Sequence, residues 1–412
     1  MSETKEQTLP LSGLRILELG HFIAAPFCTR ILADLGAEVI KVEQPGHGDP
    51  VRRWGKISDG QEESVWWSVH GRNKKSVSIN LKDPEGIKVV RELLPHVDAL
   101  VENFKPDQLA EWGLDREEID KANPDIVVVR ISGYGQTGPE RDRAAFGLIG
   151  EAIGGLRHLT GYPPEVTDLP PVRVGVSIGD SIAGLYGAIG LLASVYAKGA
   201  GKNQTANRYS DVALSESVFS LLEGCLPEYG HFGDIRQPQG SSLSTTAPSN
   251  AYPSADGKWF LIGANSDSLF MRLCRVMERE KLAFDLRFKD NPSRVRNGVE
   301  LDEEIVGWTR TKPLAELQEI AKAADIPSSG IYTIADIAAD ANFQHRGMVQ
   351  KVQDPRLGEV LHPGMVPNYN IDPSNAVRWC GPKVGEHNNE ILSGMLGMSA
   401  KKIHQLAKQG TI

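Results

Sequence analysis

Ile16-Leu17-Glu18-Leu19-Gly20-His21-Phe22-Ile23-Ala24-Ala25-Pro26 is a short apolar run that breaks into a turn and then enters a helical pattern. That pattern runs from about Ala25 to Leu35 and stops at Gly36, a residue suited to the position just past a helix end. Val39-Ile40-Lys41-Val42 then repeats the apolar run, and Ala99-Leu100-Val101 and Ile126-Val127-Val128-Val129 repeat it again. A further helix begins near Pro84, with Asp83 as its cap and proline at its first position. Strands alternating with helices imply a parallel sheet covered on both faces, so an α/β, doubly wound, Rossmann-like region is expected. Its strand order does not follow from these signals. The turn after the first strand lacks the GxGxxG fingerprint, which argues against a nicotinamide dehydrogenase.

A second informative stretch is Val172-Arg173-Val174-Gly175-Val176-Ser177-Ile178-Gly179-Asp180, which leads into an apolar helix running to about Lys198. Apolar residues at 182, 185, 186, 189, 192, 193 and 196 share one helical face, while Gly184, Gly187 and Gly190 thin another for close packing. Asp180 enters this helix with few polar neighbours. Its plain reading is an N-cap, favoured by the orphan N–H groups and the dipole of a helix start; its functional reading is a catalytic carboxylate.

The chain has 412 residues, 40% of them hydrophobic and 24% charged, with a net charge of −8. That length calls for two or three domains, and the acidic balance excludes an extended nucleic-acid surface but not an anion in a locally basic pocket. The apolar run from Ser181 to Ala197 is short, glycine-interrupted and starts at a charge, so a buried helix is expected and no membrane segment. Cys28, Cys225, Cys274 and Cys380 are scattered without a CxxC pair, so no metal site and no disulfide scaffold are expected. With no visible targeting segment, this composition points to the cytoplasm. Gly, Gln, Pro, Ser and Thr dominate between Gly230 and Pro253, which reads as a linker or active-site loop before a second domain. The expected divisions are 1–225, a linker or loop at 226–252, a small domain at 253–345, and a return segment at 346–412. The return segment ends in two amphipathic helices, about 388–396 and 400–408.

Motifs along most of the chain resemble those of the class III CoA-transferases, the formyl-CoA transferase or carnitine dehydratase-like CaiB/BaiF superfamily. They include Leu11-Ser12-Gly13-Leu14-Arg15, Asp34-Leu35-Gly36-Ala37-Glu38, Gly46-His47-Gly48-Asp49-Pro50, Asn73-Lys74-Lys75-Ser76, Val101-Glu102-Asn103-Phe104, Ser132-Gly133-Tyr134-Gly135 and Val384-Gly385-Glu386-His387. The resemblance implies a large Rossmann-like domain formed by both chain ends, a smaller α+β domain between, and an interlocked homodimer. It implies that Asp180 is the nucleophile and that CoA contacts fall on Ile23, Ala24, Lys74, Lys75, Asn103 and Phe104. No permanently bound cofactor is implied; an acyl-CoA thioester and a carboxylic acid are the substrates.

Read without the resemblance, Asn73-Lys74-Lys75 is a solvated turn and Phe104 a core residue. Where formyl-CoA transferases carry a glutamine and a tetraglycine loop, this chain has Ile23 and Gly240-Ser241-Ser242-Leu243, and two CoA-contacting arginines are replaced by Gln44 and Glu111. The pattern is closer to enzymes that move CoA from succinyl-CoA or acetyl-CoA to dicarboxylic or hydroxy acids. Arg52 or Arg173, with Gly240 and Ser241, would then bind the acceptor; Arg53 reads equally as a structural ion pair. The related α-methylacyl-CoA racemases pair the aspartate with a histidine, and Phe146 stands where that histidine is expected. A CoA-binding protein without turnover is a third reading, and His21, His70 and His158 carry no catalytic spacing.

Overall fold

The computed structural model describes residues 8–202, 205–369 and 376–412. The chain divides into two compact units, one holding residues up to Arg157 with Val174–Asp234 and Ala341–Ile412, the other His158–Arg173 with Ile235–Asp340. The segment 158–173, read above with the first stretch of the chain, groups with the second unit.

The first unit is built on six parallel strands: β1 (Arg15–Glu18), β2 (Glu38–Glu43), β3 (Lys74–Ser78), β4 (Ala99–Glu102), β5 (Val127–Ser132) and β6 (Tyr209–Ala213). Their order is β3-β2-β1-β4-β5-β6. This is the doubly wound order in which the chain reverses direction across the sheet between β1 and β4, opening a crevice beyond their carboxyl ends. Apolar residues on both faces explain why the strands read as continuous runs. Leu17, Ile40, Leu100 and Val128 pack into one core with α2 (Pro84–Leu93), Ile391, Leu392 and Leu406; Ile16, Val39, Val101 and Val129 pack into the other. Asp83 caps α2 by accepting from Glu85 N at 3.0 Å, as the sequence predicts.

The second core holds α1 (Ala24–Asp34) against α4 (Ile178–Gly199). Between them in the chain lies α3 (Gly147–Ile153). The glycine face of α4 turns inward: a β-carbon on Gly184 would come 2.8 Å from Ala24 O, and one on Gly190 would come 2.4 Å from Ser210 Oγ. The helix expected to be buried is only partly so: its apolar face is buried at Ile182 but exposed in the single chain at Leu185, Ile189 and Tyr196. Close helix contact selects the smallest side chains, and the glycine face read for close packing is the one that meets α1 and β6.

The terminal segments return to this unit through a π-helical turn, Asn389–Met395, and the helix Ala400–Gln409. Hairpin β10–β11 (Val349–Asp354, Gly358–Pro363) precedes them. The second unit is α+β: β7 (Ser249–Pro253), β8 (Trp259–Gly263) and β9 (Ser328–Gly330) form an antiparallel sheet. Phe260 and Ile262 pack there with Phe270, Leu273, Ile305 and Leu317. The linker expected from 226 starts later, because Cys225–Phe232 is helical.

Candidate active site

The crevice between β1 and β4 is occupied by a cavity of about 320 Å³. Three loops that follow strands wall it: His21 to Ala24 after β1, Asn103 to Pro106 after β4, and Ser132 to Gly133 with Arg141 to Phe146 after β5. Gln108, Ile131, Asp180 and Leu214 complete the lining. The structure therefore brings Asp180, Ile23, Ala24, Asn103 and Phe104 together, though they are spread over 158 residues of chain.

Asp180 is not the N-cap. Ser177 holds that position, α4 begins at Ile178, and Asp180 lies in the first turn, half-buried. Its carboxylate fits because two glycines make room. A β-carbon on Gly147, the first residue of α3, would come 2.1 Å from Asp180 Oδ2, and one on Gly179 would come 2.5 Å from Gly147 O. A carboxylate in the first turn of a 22-residue helix meets the positive end of the helix dipole.

Aromatic groups line one side. The His21 ring lies 4.9 Å from Phe22 and 5.4 Å from Phe104, and Phe22 meets Phe146 edge-on at 6.0 Å. Burial lowers the His21 pKa, with the Lys41 charge adding to it against the pull of Asp49, so the imidazole is neutral at pH 7. Positive charge enters from Lys105, Arg141 and Arg143, the last two paired with Asp107 and Glu140. Beneath the β4 loop, Glu102 accepts from Phe104 N at 2.7 Å; burial and nearby Asp211 push its carboxyl up to about 7, against Arg130.

Six expected contacts do not line this cavity. Lys74 is fully buried in β3, bonded to Glu18 at 2.9 Å and to Pro26 O at 2.8 Å, so it has no free face for a phosphate; the solvated-turn reading fails for the same reason. Lys75 points to the other face of the strand and pairs with Glu38 and Glu390, each at 2.6 Å. Arg52 is buried between Glu43 and Glu63 with Trp67 against its guanidinium, which removes it as an acceptor-binding group. Arg173, Gly240 and Ser241 belong to the second unit and do not line this cavity; Gly240 N donates to Gly161 O at 2.7 Å. The sequence reading missed His21, Phe22, Lys105, Arg141 and Arg143. All of them follow strands, and the rule that open α/β sheets bind ligands beyond their strand ends is the signal that finds them. Among the described residues, no group of His, Cys, Asp and Glu side chains converges to hold a metal ion.

Fold and cavity together define an α/β protein whose strand-end crevice presents a carboxylate beside an aromatic and cationic wall. A family model described as CoA-transferase family III matches residues 11–388. The chain is 44% identical over 403 residues to a succinyl-CoA–D-citramalate CoA-transferase of Chloroflexus aurantiacus, covering 98% of each chain. It is 38% identical to the beta subunit of a succinyl-CoA–L-malate CoA-transferase from the same organism, again covering 98% of each. The crystal structure of a CaiB/BaiF family protein from Brucella suis superposes with a TM-score of 0.78 at 31% identity, over 94% of this chain and 100% of that one. This chain belongs to family III of the CoA-transferases.

Gly147→Ala tests the close approach at Asp180. The added methyl group must displace the carboxylate, and a misplacement of about 1 Å costs a reaction roughly 100-fold. The expected result is a fall in kcat for CoA transfer of that order with the melting temperature nearly unchanged. An unaltered kcat would mean that the position of Asp180 does not matter.

Proposed function

We propose that this enzyme moves CoA from succinyl-CoA to a dicarboxylic or hydroxy-dicarboxylic acid, with Asp180 as nucleophile. The observation that carries the reading is the Asp180 carboxylate in the wall of the strand-end cavity. The acids in the names of the relatives, citramalate and malate, supply the acceptor class.

In this reading an Asp180 oxygen attacks the thioester carbonyl of succinyl-CoA, the C–S bond breaks, and CoA leaves as thiolate from a mixed anhydride. The thiolate then attacks the aspartyl carbonyl; the C–O bond breaks, succinate departs, and CoA is held on Asp180 as a thioester. An acceptor carboxylate attacks that thioester to give a second anhydride and thiolate. The thiolate finally attacks the acceptor's carbonyl, releasing acceptor-CoA and restoring the Asp180 carboxylate. A carboxylate suits these exchanges because its anhydride and thioester are both reactive, so one hard exchange is divided into easier steps. Aromatic side chains against the cavity exclude the water that would hydrolyse both intermediates. Lys105, Arg141 and Arg143 replace Arg52 and Arg173 as the groups that answer the negative charge of the substrates.

The same reading includes a homodimer. Leu185, Ile189 and Tyr196 on α4, with Leu226, Tyr229 and Phe232 on the helix Cys225–Phe232, expose more apolar surface than a lone chain in water favours. Sedimentation of the purified protein at micromolar concentration should give twice the chain mass of 44.9 kDa. A monomer across the concentration range would remove this part of the proposal.

The reaction is tested by incubating wild-type and Asp180→Asn protein with succinyl-CoA and a panel of mono- and dicarboxylates. Wild type should form new acyl-CoA products with hydroxy-dicarboxylates, and the variant should lose about a thousandfold or more in kcat. Deuterium entering the α-carbon of a branched acyl-CoA, with no exchange between acids, would instead make the protein a racemase.

A further inference from the structure

The loop after β1 is gripped by side chains whose polar groups are directed to the backbone. Asn103 uses both ends of its amide on one residue: Oδ1 accepts from His21 N at 2.9 Å, and Nδ2 donates to His21 O at 2.9 Å. On either side, Gly20 O accepts from Lys41 Nζ at 2.9 Å and Phe22 N donates to Asp49 Oδ1 at 3.2 Å. Lys41 and Asp49 are themselves tied, Nζ lying 2.8 Å from Asp49 Oδ2, and both are buried. Backbone groups of three consecutive residues are therefore held from β2, from the end of β4 and from the Gly48–Pro50 turn.

The grip holds a bend that the chain would not keep unaided. Phe22 has φ of +63°, a left-handed conformation that a residue with a β-carbon rarely adopts and that survives only where its surroundings over-determine it. Gly20 allows the close approach, since a β-carbon there would come 2.7 Å from Asn103 Oδ1. The bend has two outlets. It places His21, Phe22 and Ile23 along the cavity, and it delivers Ala24, whose carbonyl touches α4 at Gly184, about one turn beyond Asp180.

We infer that Asn103, Lys41 and Asp49 are positioning residues, a latch that holds Gly20–Phe22 in its bent form and so sets the loop wall of the cavity against Asp180. This gives the Gly46–Pro50 motif a task, and it gives Asn103, which also lines the cavity, a part in the frame that shapes the site. The kinetic arm of the test rests on the transferase reading; the exchange arm does not.

Hydrogen exchange followed by mass spectrometry on the ligand-free protein reads the latch directly. In wild type, the amides of His21 and Phe22 should be protected. In Asn103→Ala, exchange over residues 20–25 should quicken by about tenfold or more while β2, β5 and α4 keep their protection. Asn103→Asp retains the acceptor for His21 N but loses the donor to His21 O; it should lie between, and it carries the same readout if the alanine variant does not fold. In CoA transfer, kcat should fall about tenfold with KM for the acyl-CoA changed less than about threefold. Unchanged exchange over 20–25 in both variants overturns the latch, as does a rise in KM alone. The expected exchange pattern in a protein that transfers no CoA supports the latch and overturns only the transferase reading.

Discussion

Two buried ammonium groups, Lys41 and Lys74, converge on one buried carboxylate, Glu18, at the carboxyl end of β1. Burial alone would raise the pKa of Glu18, but the two lysine charges and the hydrogen bonds from Lys41 and Thr29 bring it down to about 2. The cluster ties β1 to β2 and β3, and through Thr29 Oγ1 at 2.6 Å and Pro26 O it holds the first turns of α1. Removing one member leaves an uncompensated charge in the core, at a cost of about 3–5 kcal/mol. One side of the cavity hangs from this point: the bent loop is latched to Lys41, α1 follows the loop, and α4 with Asp180 packs on α1.

That arrangement explains what the sequence revealed and what it hid. β1, β2, β4 and β5 were legible because a strand covered on both faces needs an unbroken apolar run. β3 and β6 were not: Lys74-Lys75-Ser76-Val77-Ser78 and Tyr209-Ser210-Asp211-Val212-Ala213 are the two edge strands of the sheet and read as polar. A charge in a sequence has no address. Lys74 finds Glu18 56 residues away, and Arg72 finds Asp34 38 residues away, so motifs that resemble ligand-binding patches turn out to be structural pairs. The cavity-lining residues that were legible, Asp180, Ile23, Ala24, Asn103 and Phe104, came from family resemblance. His21 and the arginines after β5 became visible only once the strand order placed the crevice.

Small residues shape the cavity as much as charged ones do. Gly147 and Gly179 let a carboxylate in the first turn of one helix lie against the start of another. Gly184 lets the helix that bears it sit against the Ala24 carbonyl. Hydrophobic periodicity marks the bulky face of α4, while the glycines at 184, 187 and 190 mark the face that packs closely. The bulky face remains available for another surface.

The central claim, that Asp180 carries CoA covalently between donor and acceptor, is tested most directly by trapping. Enzyme mixed with succinyl-CoA and no acceptor is quenched in acid, digested with pepsin and analysed by mass spectrometry. The peptide containing Asp180 should carry the mass of CoA less one water, located on Asp180 by fragmentation. Catalytically competent enzyme with that peptide unmodified, or with the adduct on another residue, would contradict the account.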